Sequence, residues 1–444
     1  MADPAQIAAR IVQRLRDAGY EAWLVGGCVR DRLLGRTPLD FDVATSARPE
    51  VVRRLFRRTV PVGLRFGVVL VVDAGCRVEV ATFRSDDAYI DGRHPSAVRY
   101  GSAAEDAQRR DFTINALLQD PFTLEVIDHV GGQADLHAGV VRAIGDPHAR
   151  IREDRLRMLR AVRFAARFGF AIAPATLDAI RAAAPAVTDM AAERIGEEIV
   201  KMLCEGSARR AFELLAATSL LEVVLPEVAA LRGVAQSPDH HPEGDVWDHT
   251  LLLLAQLPAG ASETLGLAAL LHDVGKPLCA QTAPDGCIAF SGHHAIGARI
   301  AVGICQRLRR SRATWERVAY LVEHHLEPRE APAMRLATLK RMLAAPAIDE
   351  LLHLARLDAL ASNRDLGPVL YCLRRRRELG PQALRPPRLL GGSDLLALGV
   401  PPGPALGKLL RALEDAQLEG EVTSREAAEA FVREHLAGCG LRQG

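Results

Sequence analysis

A chain of 444 residues with 49% hydrophobic side chains is too long for one ordinary core and is expected to divide into roughly two to four domains. The formal charge of +1 neither requires nor excludes a nucleic-acid partner, which has to be argued from clusters such as RLRRSR at 307–312 and RRRR at 374–377. The eight cysteines are scattered, with no CxxC pair and no secretory leader. That distribution argues against a disulfide framework or a thiolate zinc site, and for a reducing, cytoplasmic compartment.

The opening stretch MADPAQIAARIVQRLRDAGY has helical periodicity and carries Asp3 and Asp17, which fits an amphipathic first helix better than an acid-poor transit peptide. Short strands follow at AWLVGG, LDFDVAT, GVVLVVDAG and CRVEVATF, interleaved with helix-like segments, so residues 1–145 read as an α/β head. From 146 to 235 the pattern is continuously helical, clearest in REDRLRMLRAVRFAARFGF and AAERIGEEIVKMLCEG. The loop-like RGVAQSPDHHPEGD opens a histidine-containing helical region, 236–365. The stretch GPQALRPPRLLGG then separates a helical tail, 366–444. The most apolar run, LLLLAQLPAGASETLGLAALLHDVG, is interrupted by Pro258 and Gly260, so no membrane span is expected.

Chemistry concentrates first in LVGGCVRDRLLGRTPLDFDVATS. A strand period of two puts Asp40 and Asp42 on one face, where two carboxylates repel unless a cation lies between them. In CRVEVATF the same alternation turns Glu79 away from Val78 and Val80, supplying a third carboxylate; together the three suit two Mg²⁺ ions. A solvated strand edge is the plain alternative for a DxD triplet. Gly26 and Gly27 stand where a strand meets a helix start, so backbone N–H groups can approach a phosphate closely, with Arg30 adding charge. Further on, RRDFTINAL brings Arg110, Asp111 and Asn115 together, suited to phosphate and ribose contacts or, more simply, to an N-capped helix.

Taken in order and spacing, LVGGCVRDRLLG, DFD, RRDFTINAL and REDRLRMLRAVRFAARFGF resemble the class II tRNA nucleotidyltransferase and bacterial poly(A) polymerase family over roughly residues 20–205. The resemblance implies that Asp40 and Asp42 bind the catalytic metal with Glu79 in support. It implies too that Gly26, Gly27 and Arg30 contact the triphosphate, and Arg110 and Asp111 the nucleotide sugar and phosphates. Its nucleotide selector falls on Glu153, Asp154 and Arg157, which on a continuous helix would share one face and offer acceptors and donors to C or A while refusing G and U. Arg157, Arg160, Arg163 and Arg167 would form a basic stripe, along an acceptor stem or merely solvated.

The second half resembles the HD phosphohydrolase superfamily through DVWDHTLLLL, ALLHDVGKP, FSGHHAIG, LVEHHLEP and ARLDALASN. That likeness implies a transition-metal site, for Ni²⁺ or Mn²⁺, on His249, His272, Asp273, His293, His324 and Asp358, with His294 and His325 as competing assignments. The tail resembles that of tRNA enzymes rather than the basic extension of poly(A) polymerases, and VGLRFGVVLVV lacks the basic pair of the polymerase branch. The expected fold is α+β: a small mixed-sheet nucleotidyltransferase head followed by an all-α neck, HD body and helical tail. The expected function is template-independent addition of CCA to the tRNA 3′ end from CTP and ATP. Addition of A alone, poly(A) synthesis, and an HD phosphohydrolase with a nucleotide-binding head stay open. A loop within FRSDDAYIDGRHPSAVRYGSAAEDAQRRDF is expected to switch the selector between C and A.

Overall fold

The structure is a computed structural model that describes residues 3–63, 67–86, 98–237, 244–282 and 288–438. It forms two compact units. The first runs to Ala229 and takes in Leu257–Ala261 and Arg307–Arg310; the second comprises Ala230–Gln256, Ser262–Gln306 and the chain from Ser311 onward.

The first unit begins with helix α1 (Pro4–Asp17), capped by the Asp3 carboxylate and started by Pro4, with Ile7, Ala8, Ile11, Val12 and Leu15 forming its buried stripe. Strands β1 (Ala22–Val25) and β2 (Asp42–Thr45) flank helix α2 (Gly27–Leu33), and helix α3 (Pro49–Leu55) leads into β3 (Thr59–Gly63), β4 (Val68–Asp73) and β5 (Cys76–Thr82). Ala74 and Gly75 both have positive φ, at 47° and 85°, and join β4 to β5 as a two-residue turn whose twist matches the strands. A small hairpin, β6 (Arg84–Asp86) with β7 (Val98–Tyr100), precedes helix α4 (Ala103–Gln108) and strands β8 (Leu118–Gln119) and β9 (Val126–Ile127). The sheet order is β3-β4-β5-β2-β1-β8-β9. Only β2 and β5 run parallel within it, which makes it the mixed sheet the sequence leads one to expect. Val25, Ala44, Phe83, Ala103 and Leu118 pack on one another beneath it.

Helix α5 (Gly132–Ala138) leads to the helical part of this unit: α6 (Pro147–Glu153), α7 (Leu156–Phe168), α8 (Pro174–Ala183), α9 (Ala192–Cys204), α10 (Ala208–Ala217), α11 (Leu221–Val224) and α12 (Pro226–Ala229). The continuous helix expected through Glu153, Asp154 and Arg157 is broken. Asp154 is extended (φ −146°, ψ 103°), and its carboxylate accepts from the Leu156 N–H at the start of α7. An aspartate at this position competes for the local N–H groups and caps a new helix rather than continuing the old one.

In the second unit, α13 (Val246–Ala255) is capped by Asp245 and α14 (Glu263–Leu271) by Ser262. Every residue of α14 from Leu265 to Leu271 is buried, so ETLGLAALL forms a central helix apolar on all sides. Around it stand α15 (Lys276–Cys279), α16 (His293–Arg307), α17 (Arg312–His324), α18 (Glu327–Glu330), α19 (Leu336–Leu343) and α20 (Ile348–Ala361). Helix α21 (Gly367–Leu384) is kinked at Gly380 (φ 69°, ψ 169°) ahead of Pro381. The tail helices α22 (Gly392–Ala397), α23 (Pro404–Glu419) and α24 (Arg425–Gly438) close over Leu395, Val400, Leu413, Val422 and Val432. No helix among the described residues is long and apolar enough to cross a membrane.

Candidate functional site

Strand register builds the first constellation. In the parallel pair β2–β5 Asp42 stands opposite Glu79, and in β1–β2 it stands opposite Val25, the residue before the double glycine. Gly26 has φ +76°, a conformation side chains rarely tolerate. A Cβ there would lie 3.3 Å from Arg110 Nη1 and 3.8 Å from Asp42 Oδ2. The turn is therefore where a carboxylate and a guanidinium approach bare backbone. Burial, followed by the charges of Glu79 and Asp40 and opposed by Arg110, pushes the Asp42 carboxyl up to about 6.

Asp40 is exposed and lies outside β2, which begins at Asp42, so the period-of-two argument holds for Asp42 and Glu79 but not for Asp40. Among the described residues, Asp40, Asp42 and Glu79 do not bring ligand atoms within 4.8 Å of one another. Their donors are all hard oxygens, and burial, with the charges of Glu79 and Asp40 added to it, disfavours the Asp42 anion in a way that a divalent cation would relieve. The set fits Mg²⁺.

Arg30 sits beneath this turn, buried. It donates to Asn115 Oδ1 at 2.6 Å and to Asp31 Oδ1 at 2.7 and 2.8 Å, with its guanidinium over the rings of Phe164 and Phe168. It braces the glycine turn from within; the expected free charge beside a triphosphate is already engaged. Arg110 reaches Asn115 O at 3.3 Å and Asp106 Oδ2 at 3.1 Å. Asp106, 1% exposed, also holds Arg109 at 2.6 Å. The i, i+3 and i, i+4 spacing in EDAQRR was the available signal for this clamp, and it went unread. Asp111 accepts from Asn115 at 3.0 Å, from the Phe112 N–H at 2.8 Å and from Arg160 at 2.7 Å; burial opposes its charge, but these donors prevail and hold its carboxyl down to about 2.

At the helix break, Glu153 Oε2 accepts from Arg157 Nη1 at 2.6 Å and from Arg150 at 2.9 Å, while Arg157 also donates to Arg150 O at 2.8 Å. Asp154 pairs with Arg194 through two hydrogen bonds, of 3.2 and 2.9 Å. Two acid–guanidinium pairs, Glu153–Arg157 and Asp154–Arg194, therefore stand at the break in place of three side chains on one helical face. Nothing in the sequence near Arg194 pointed to it. Along α7 the arginines are not a bare basic stripe: Arg160 meets Asp111, Arg163 is buried against Glu198 at 2.7 Å and Glu205 at 3.1 Å, and Arg167 lies 3.7 Å from Glu205. Of the segment expected to switch the selector, 83–112, residues 87–97 lie outside the described residues and the flanks form β6, β7 and α4.

The second constellation closes by itself. Helix α14 ends into His272 and Asp273, and α13 brings His249, fully buried, to 3.3 Å from His272 (Nε2 to Nε2). A Cβ on Gly275 would fall 2.2 Å from His293 O and 2.7 Å from Gly297 N, so only glycine lets the turn after Asp273 press against the start of α16, which carries His293. Asp273 Oδ2 lies 3.2 Å from His272 Nε2, and Oδ1 lies 3.4 Å from His293 Nε2 and 3.9 Å from His325 Nε2. Asp358 Oδ1 is 3.0 Å from His249 Nε2. Two three-donor groups thus share Asp273: His249 and His272 on one side, His293 and His325 on the other.

The Nδ1 atoms of His272, His293 and His325 lie 3.0, 2.7 and 2.7 Å from the carbonyls of Ala269, Phe290 and Val322. A carbonyl only accepts, so each Nδ1 carries the proton and each Nε2 presents its lone pair to the centre. Among the described residues, His293 Nε2 is buried with no hydrogen-bond partner. Burial, reinforced by the charge of His272, pushes the His325 ring down to about 4, keeping it neutral. This donor chemistry fits a transition metal, and for two ions with Asp273 between them. The expected ligand His324 points elsewhere, 2.6 Å from Glu327 and against the Tyr320 ring; His325 takes its place, and His293 rather than His294 joins the cluster. Adjacent helical residues point about 100° apart, so HH pairs could not be resolved without the packing. Lys276, 5% exposed, donates to Asp273 Oδ2 at 2.7 Å and was not anticipated.

Three families match the chain: Poly A polymerase head domain over residues 22–142, Probable RNA and SrmB- binding site of polymerase A over 169–231, and HD domain over 246–363. Poly(A) polymerase I of Escherichia coli O157:H7 is 45% identical over 237 residues, 51% of this chain and 51% of its own. The CCA-adding enzyme of Geobacillus stearothermophilus is 45% identical over 230 residues, 52% of this chain and 56% of its own. The chain thus spans about half the length of the curated relatives it matches. The crystal structure of the Bacillus stearothermophilus CCA-adding enzyme in complex with CTP superposes with a TM-score of 0.77 at 29% identity, covering 99% of both chains. The Thermotoga maritima CCA-adding enzyme complexed with tRNA, at 20% identity and a TM-score of 0.56, shares the fold.

Proposed function

We propose that the chain is a class II nucleotidyltransferase of the kind that includes CCA-adding enzymes and poly(A) polymerases, carrying an HD domain, and that it adds CCA to the 3′ end of tRNA from CTP and ATP; the head, RNA-binding and HD matches and the likeness to the CTP complex support this reading. The observation that carries the reading is the approach of Asp42 and Arg110 to the Gly26 turn, with Glu79 opposite Asp42 on the neighbouring strand and two acid–guanidinium pairs at the α6–α7 break of the same unit. Divalent cations on Asp40 and Asp42, with Glu79 in support, would supply the charge that activates the terminal hydroxyl and neutralises the triphosphate. The chain's own groups do the rest. Gly26 and Gly27 put no side chain between a phosphate and the start of α2, Arg110 adds a guanidinium beside the turn, and Asp111, held ionised by Arg160, offers an acceptor for a sugar hydroxyl. In the transfer, the tRNA 3′ oxygen bonds to the α-phosphorus and diphosphate leaves.

Carboxylates of Glu153 and Asp154 accept from the exocyclic amines of C and A, and the guanidiniums opposite donate to ring nitrogen or carbonyl; G and U present the reverse pattern. In the second unit, the His249, His272, Asp273, His293, His325 and Asp358 cluster supports a metal-dependent phosphohydrolase with Mn²⁺ or Ni²⁺. A second reading, poly(A) synthesis, is favoured by the 45% identity to poly(A) polymerase I, equal to that of the CCA-adding relative. Supplying each nucleotide singly to tRNAs ending before CC, at C and at CC tests the proposal: CTP is to be used on the first two and ATP on the third. Use of ATP alone on every end favours the second reading.

A further inference from the structure

A cavity of about 80 Å³ opens directly onto the histidine centre: its lining includes His325 and Asp358 from that centre together with Arg329, Ser362, Asn363 and Asp365. It has room for a phosphate group and a few attached atoms and none for a nucleic-acid stem. In the first unit Arg157, Arg160, Arg163 and Arg194 are each paired with an acid. Arg329 is exposed, and its side chain has no hydrogen bond or ion pair among the described residues. Its backbone is fixed in α18, which packs against α20 and α21.

The opposite wall is equally well set. Ser362 Oγ donates to Asp358 O at 2.9 Å, Asn363 Oδ1 accepts from the Asp365 N–H at 3.0 Å, and Asp365 Oδ1 accepts from the Gly367 N–H at 2.9 Å. These bonds leave the Asn363 amide N–H groups and the second Asp365 oxygen without a hydrogen-bond partner among the described residues, and both residues line the cavity.

Resting on the phosphohydrolase reading of this domain, we propose that the cavity is its substrate subsite and takes a sugar phosphate ester. Arg329 holds the phosphate beside His325 and Asp358, and Asn363 with Asp365 receives the neighbouring hydroxyls. A guanidinium matches two phosphate oxygens at once. Asp365 repels a bare phosphate but becomes a partner for an ester that carries hydroxyl groups, so the pocket prefers ribose 5-phosphate to inorganic phosphate.

The test uses the full chain, freed of metal by chelation, with the ring nitrogens of His325 followed by NMR while ribose 5-phosphate or inorganic phosphate is added. Ribose 5-phosphate should shift the His325 signals and bind more tightly than inorganic phosphate. Arg329→Ala should weaken that binding by about tenfold or more, Arg329→Lys should fall between, and the exposed Arg299→Ala should match the unaltered protein. Asn363→Ala should weaken ribose 5-phosphate several-fold without affecting inorganic phosphate. Unchanged binding in Arg329→Ala, or equal binding of the two probes, would overturn the subsite. The two readings fail separately. Mn²⁺-dependent hydrolysis of p-nitrophenyl phosphate with an unaltered KM in Arg329→Ala would keep the phosphohydrolase and remove the subsite. Arg329-dependent sugar-phosphate binding without hydrolysis under any metal would keep the subsite and remove the phosphohydrolase.

Discussion

In the first unit, Asp40, Asp42 and Glu79 come from an exposed segment and two neighbouring strands and, among the described residues, do not gather their ligand atoms into one group; in the second unit, histidines and aspartates from α13 to α20 already stand within ligand distance of one another. The difference lies in charge. The Asp42 pKa is raised first by burial and then by the repulsion of Glu79 and Asp40. Burial holds the His325 ring neutral, and Asp273 is stabilised as an anion by His272 and Lys276 even though burial opposes it. Like charges repel unless a cation lies between them, whereas neutral and anionic donors can pack together.

The largest effect that would break this comparison is on the head. Asp42→Asn should lower nucleotide addition by about a thousandfold or more while leaving metal bound in the second unit, read by turnover and by metal content after dialysis. Turnover within tenfold of the parent would move the reaction centre away from β2. On the other side, His325→Ala should reduce Mn²⁺ affinity by about 100-fold and His324→Ala should leave it within about twofold, measured by calorimetry. Equal losses in the two variants would mean that the packing at the end of α17 is misassigned. Nucleotide selection comes third: Arg157→Ala should reduce discrimination of CTP over UTP by about 1–3 kcal/mol in kcat/KM, with tRNA affinity little changed. Undiminished discrimination would leave Asp154 and Arg194 as the readers.

The smallest effect concerns acid. In metal-free protein the Asp42 pKa is raised, so its contribution to stability is full below about 4 and is lost as pH rises through about 6. The His325 pKa is depressed, so its contribution is present above about 6.5 and is lost as pH falls toward 4. Asp42→Asn should therefore raise the melting temperature of the metal-free chain by a few degrees at pH 8 and by almost nothing at pH 4. An equal shift at both pH values would show that charge repulsion is not what the head stores.

Much of this was legible before the fold was known. The strand alternation around Glu79, the glycine turn, the His-Asp step at the end of an all-apolar helix and the mixed sheet follow from local pattern. What escaped depended on contacts across the chain. Arg30 reads as a free cation until Asn115, 85 residues away, is seen to accept from it. Arg194 reads as a surface residue until it meets Asp154. Asp154 was placed on a helix because spacing alone cannot say that a carboxylate will cap the next turn instead. His324 and His325 differ only in which face α17 turns inward.

The central claim is that one head adds a short, defined end by reading nucleotides with protein side chains. Incubation of the full chain with tRNA lacking CCA, in excess CTP and ATP together, followed by sequencing of the 3′ ends, tests it most directly. Ends that stop at CCA whatever the incubation time are predicted; ends that carry A tracts growing with time would contradict it.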